Sequence, residues 1–242
     1  MFALERSIDD ASSSKRRTSA LAIFESPLRR GSRFVVLSLM IFMMTLSLSS
    51  FQARAFTDPG TLTPKDREFA VKYMQETRQK LLSEVSGLSQ AQLNYKPNAE
   101  RWSVADIVEH IVIAEETVFG LVNDRILKSP AVADVNMELR VKDQAILMAI
   151  TNRKTKFQAP ERVQPQGRWK TKADLVSNFE RVRGRSISYV QSTSDELRSH
   201  FAENPLMGKI DAYQWLLFVT AHGERHTLQI MELKSDPHFP KM

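Results

Sequence analysis

The 242-residue chain reads as all-α: an antiparallel four-helix bundle with one long crossover connection and a short extra helix. Three observations predict it. Apolar residues recur at helical spacing over long stretches, Pro and Gly fall mainly between those stretches, and no alternation of β type is sustained anywhere. With roughly 187 residues left after an N-terminal leader, a single core of ordinary size can hold such a fold without cross-links. It must do so, because there is no cysteine.

The leader spans residues 1–55, and the domain 56–242. Residues 34–48, FVVLSLMIFMMTLSL, carry no charge, follow Arg29, Arg30 and Arg33, and precede FQARAF. A basic segment, a short apolar run and Ala53 and Ala55 in A-x-A positions make a secretory signal peptide, with Phe56 as the first mature residue. The run is shorter than the about 20 apolar residues of a comfortable span. LRRGSRF partly matches a twin-arginine signal. The expectation is an exported protein, periplasmic or secreted; an uncleaved leader would make it membrane-anchored. The leader holds eight basic and four acidic residues, which leaves 26 basic against 24 acidic, a formal +2 in place of +6. Such a mixed, near-neutral domain has no electrostatic footprint for nucleic acid.

The first helix opens at TPKDREFA, with Thr63 as cap and Pro64 at the first helical position, and Gly87 marks its end. Phe69, Tyr73, Met74, Thr77, Leu81 and Val85 form its stripe. After the linker LSQAQLNYKPNAERW, Ser103 caps a second helix that runs to about Lys128, with Asp106 completing an approximate capping box. Residues from about Glu138 to Thr155 form the short extra helix, and FQAPERVQPQGRW is a connector. The third helix starts near Thr171 and carries Leu175, Phe179, Val182, Ser186 and Tyr189 on one face; after ENPLMGK the last runs from about Asp211 to Lys234.

The last helix holds the chemistry. Trp215, Val219, His222, His226, Gln229 and Leu233 follow at alternating spacings of four and three, the pattern of a seam facing a partner helix. Its ends are apolar and its middle is polar. An unpartnered buried polar group costs about 1–3 kcal/mol, so three polar seam positions in a row imply something they bind. In the second helix Ser103, Ile107, His110, Ala114, Thr117 and Leu121 repeat the spacing, and the small residues after His110 leave room for a cavity. Facing each other, the seams bring His110 to the i, i+4 pair His222 and His226. Three neutral imidazoles hold a metal while leaving positions open to water or substrate. An H-x-x-x-H pair alone is a weak signal; the third histidine in the matching seam strengthens it.

ERWSVADIVEHIVIAEE (100–116) and WLLFVTAHGERHTLQI (215–230) resemble the DinB/YfiT-like superfamily of bacterial four-helix metalloproteins. Its signature is a tryptophan-serine start to the second helix, a histidine seven residues after the serine, and a late H-x-x-x-H-x-x-Q. The similarity in architecture covers about residues 64–234. It implies that His110, His222 and His226 bind one divalent metal ion, commonly nickel, zinc or iron, and that Gln229 orients a ligand or lines the pocket. Some members are thiol-dependent transferases or isomerases; export would remove this chain from their cytosolic thiols.

The expected function is that of an exported metal-dependent hydrolase or transferase acting on a small molecule. The alternative is a non-catalytic module that binds a metal or ligand. No general base is evident. His200 and His238 read as incidental, Trp102, Trp169 and Trp215 as packing, and Glu115 and Glu116 as solvated or inter-helix groups. Glu224 and Arg225, off the histidine seam, read as a salt-bridged outer face. A homodimer through an outer helical face is compatible with the fold.

Overall fold

The computed structural model describes residues 60–132, 142–155 and 157–241; the leader lies outside them. Helix α1 spans Pro64–Ser86, α2 Gln90–Asn94, α3 Val104–Leu121, α4 Asp143–Thr151, α5 Lys172–Ser192 and α6 Ala212–Lys234. Capping boxes start α1 at Thr63, α3 at Ser103 and α6 at Asp211, where each side chain accepts a backbone N–H that the helix cannot satisfy itself. Thr171 caps α5 in the same way.

The four long helices form a square in which α1 and α3 each pack against both α5 and α6. Arg67, at the start of α1, donates to Val190 and Thr193 at the end of α5, and Lys172, at the start of α5, donates to Ser86 at the end of α1. These two helices are therefore antiparallel. Tyr213 reaches Asp66 and Lys234 reaches Glu84, which sets α6 parallel to α1. The order along the chain is up, down, down, up, and the crossover from α3 to α5 carries α4, which lies against α6.

Apolar stripes from the four helices meet in two clusters. One gathers Met74, Val122, Ile126, Tyr213 and Leu216; the other Leu81, Val85, Ile107, Ile111, Phe179 and Ile230. Each fully buried aliphatic side chain contributes about 1.5–3 kcal/mol. Between the clusters the residues turn polar: Thr77, His110, Glu115 and Arg183 are buried, and His222 and His226 half-buried.

The structure departs from the expected elements in four places. The linker after α1 holds helix α2, capped by Ser89 with Gln92 in a capping box. Helix α3 passes into a π-helical turn over Val122–Ile126 before ending. A 3₁₀ turn over Glu161–Val163 sits inside the connector. ENPLMGK is no plain loop: Phe201–Asn204 (β1) and Gly208–Asp211 (β2) form an antiparallel hairpin, with Gly208 at φ +70°. Strands of four residues are too short to show an alternation, so the all-α class stands with this hairpin added. Among the described residues no helix is long and apolar enough to cross a membrane.

Candidate metal centre

The three expected histidines come together halfway along the bundle. His110 comes from α3, and His222 and His226 from consecutive turns of α6. Their ring centroids lie 4.5–4.9 Å apart. The Nε2 of His222 is 3.2 Å from that of His110 and 3.1 Å from that of His226.

The outer ring nitrogens fix the tautomers. His110 donates from Nδ1 to the Val163 carbonyl at 2.7 Å, and His226 donates from Nδ1 to Gln229 Oε1 at 2.9 Å. Both therefore turn a bare Nε2 lone pair inward. His222 Nε2 can carry at most one proton and satisfy one neighbour at a time, so the inner nitrogens cannot all be matched by one another. Burial holds all three rings below the ordinary histidine pKa. For His110 desolvation dominates against the help of Val163. His222 is pushed well down by desolvation and by its two neighbours, and His226 is pushed down to about 3, again by desolvation first. Neutral imidazoles with lone pairs converging are the state that binds a cation.

The spacing fits one. Nitrogens bound at about 2.0–2.1 Å lie about 3.0 Å apart at right angles and about 3.4 Å apart at tetrahedral angles. The observed 3.1 and 3.2 Å fall between these. Among the described residues this trio is the one group of histidines and carboxylates close enough to share an ion, with ligand atoms within 4.8 Å of one another.

Surrounding groups set the rings in place. Glu109, one residue before His110 and buried, accepts backbone N–H groups from Gln166 at 2.8 Å and Arg168 at 3.0 Å. That ties the connector down beside α3, where its Val163 carbonyl meets His110. Trp102 packs its indole 4.8 Å from the His110 ring, and Phe218 stacks on His222 at 6.4 Å. Gly223 explains the glycine between the two histidines: a Cβ there would come within 3.2 Å of Arg183 Nη2. The rings open onto a cavity of about 620 Å³ lined also by Ala114, Thr117, Trp215, Val219 and Gln229, a volume typical of small-molecule sites.

Several sequence expectations need correction. Arg225 is not on a salt-bridged outer face; it is 8% exposed, donates to the carbonyls of Ile150, Asn152 and Thr155, and lines the cavity. Its position on the wheel faces α4, which covers that side of α6. Glu224 does pair outward, accepting from Tyr73 and Lys80. Trp102 and Trp215 are cavity walls as well as packing, whereas Trp169 packs against the second cluster. Glu115 is an inter-helix group, fully buried on Arg183, and Glu116 pairs with Arg181 nearer solvent. His200 bonds Ser129 away from the site. Sequence reasoning missed Glu109, Val163 and Asn204, and only the first carried any signal, a carboxylate beside a seam histidine.

The chain is similar to known proteins. A model of the DinB superfamily matches residues 73–230, which include all three histidines and Gln229. The uncharacterized protein YuaE of Bacillus subtilis (strain 168) is 24% identical over 159 residues, covering 66% of this chain and 93% of that one. Among solved structures, YfiT from Bacillus subtilis, described as "a probable metal-dependent hydrolase with an unusual four-helix bundle topology", is 14% identical, covers 72% of this chain and 89% of its own, and superposes with a TM-score of 0.47. With the superfamily match running through more than half of its length, this chain belongs to the DinB superfamily.

Proposed function

We propose that the protein is an exported metal-dependent enzyme, a hydrolase or transferase acting on a small molecule. The observation that carries this reading is the convergence of three inward Nε2 atoms on the wall of a cavity large enough for a substrate. His110, His222 and His226 would hold one divalent ion, with nickel, zinc and iron all suited to imidazole ligands. Such an ion, when bound, would supply Lewis-acid chemistry, the polarisation of a carbonyl or the acidification of a water. The chain's own residues orient the rings: Val163 and Gln229 accept from the outer nitrogens of His110 and His226, and Trp102 and Phe218 pack against the rings of His110 and His222. The signal-like leader supports export.

A second reading, a non-catalytic metal- or ligand-binding module, has one observation in its favour. Glu109 is committed to backbone N–H groups and Glu115 to Arg183, so neither is free to move a proton. Among the described residues Glu100, exposed at the rim, is the one carboxylate that lines the cavity. A turnover screen on esters, amides and thiol acceptors separates the two. The enzyme reading expects a metal-dependent rate that His222→Ala abolishes; metal binding by the wild type with no turnover on any class favours the module.

A further inference from the structure

Gln229 is held by one end only. Its Oε1 accepts from His226 Nδ1 at 2.9 Å, and the oxygen must be the end that meets the ring, because His226 keeps its Nε2 lone pair inward and carries its proton on Nδ1. Turned over, the amide would set two donors against each other. Its NH₂ is thereby left over, without an acceptor among the described residues, on a half-buried side chain that lines the cavity. Unlike the unpartnered nitrogens of Trp215 and Asn204, which are sealed from solvent, it keeps open surface.

The metal centre fixes where this donor stands. Oε1 meets the outer edge of His226, so the amide lies across that ring from its inner nitrogen. Trp102 flanks the same ring with centroids 6.2 Å apart, and Trp215 and Phe218 continue the aromatic lining. Among the charged lining residues, Arg101, Arg162 and Arg225 stand against the single carboxylate of Glu100, an excess that disfavours a cationic guest. An oriented N–H donor, aromatic walls and a positive excess match an oxygen acceptor on an apolar body.

We propose that Gln229 determines specificity, donating its NH₂ to a carbonyl oxygen of a small molecule that has an apolar body and no positive charge. That the histidines then act on this molecule rests on the enzyme reading above; the Gln229 contact does not.

Three probes of nearly one shape test it on the full chain stripped of metal. Acetophenone carries the acceptor, cumene replaces it with a methyl group, and α-methylbenzylammonium replaces it with a cationic donor. In a nitrogen–proton correlation spectrum acetophenone should shift the Gln229 side-chain signals, which Gln229→Glu identifies by deleting them. Gln229→Glu keeps an oxygen for His226 and turns the free donor into an anionic acceptor. It should bind acetophenone about fivefold more weakly than the wild type, cumene equally, and α-methylbenzylammonium more tightly, a reversal that mere loosening of the fold does not produce. Should the glutamate variant not fold, Gln229→Met, which also lacks the donor, decides by the same loss of acetophenone relative to cumene. Side-chain signals unmoved by saturating acetophenone, or wild-type affinity for it in the variant, overturn the proposal. Zinc titration keeps the two readings apart: Gln229→Glu should take zinc at least as tightly as the wild type, and a wild type that binds acetophenone through Gln229 but no zinc refutes the metal centre alone.

Discussion

Two polar groups sit side by side in the middle of the bundle, and they differ in whether they are complete. The Glu115–Arg183 pair is 1% exposed on both sides, and the guanidinium spends its donors on both carboxylate oxygens, Thr77 Oγ1 and the Met74 carbonyl. It ties α3, α5 and α1 together and needs nothing further. The histidine trio, one turn away on α3, has matched outer nitrogens on His110 and His226 and inner nitrogens that cannot all be matched by one another. A closed network reads as structure, and an open one beside a cavity reads as a site.

Breaking the closed pair should have the largest effect. Arg183→Met strands the Glu115 carboxylate and should cost about 3–5 kcal/mol in denaturant unfolding, while the protein that remains folded keeps its affinity for zinc. If Arg183→Met unfolds no more easily than wild type, the contrast between the two groups fails.

His222→Ala should do the reverse. With metal absent, its unfolding midpoint should stay close to that of the wild type. Zinc at a hundredfold excess over its Kd should stabilise the wild type by about 2.7 kcal/mol and the variant not at all.

Acid should separate the groups next. The histidine pKa values are depressed in the fold by burial, to about 3 for His226, whereas the unfolded chain takes up protons near 6.5. Stability from this source is therefore complete above about 6.5 and is lost as pH falls from there toward 3. Metal-free wild type should lose stability across that window, and a His110→Ala, His222→Ala, His226→Ala triple variant should lose markedly less, as read by urea midpoints at each pH.

The smallest effect is expected at Glu109→Gln, which weakens the tether on Gln166 and Arg168 and so loosens the Val163 carbonyl behind His110. Zinc affinity should fall about tenfold, with little change in unfolding; an isothermal titration measures it.

What could be read from the amino acids follows from how each group acts. The histidines were legible because a seam is a local pattern: alternating spacings of three and four put His110, His222 and His226 on facing stripes whatever the rest of the chain does. Helix starts at Thr63 and Ser103 were legible for the same reason, since a cap and the residues it serves are neighbours in sequence, whereas the capping box at Asp211 emerged only in the structure. Val163 was not, because it contributes a backbone carbonyl, and any residue has one. Arg225 was misread since its surroundings come from α4, some seventy residues away in the chain. Asn204 became visible only when the hairpin brought it to the cavity, a consequence of two four-residue strands too short to leave a periodic trace.

A cation bound at His110, His222 and His226 would complete their inner lone pairs. Elemental analysis of the untagged protein, equilibrated with zinc, nickel or iron and dialysed, tests it most directly. The wild type should retain about one divalent ion per chain and His222→Ala none. A wild type that emerges free of metal, or a His222→Ala protein that retains as much as the wild type, would contradict it.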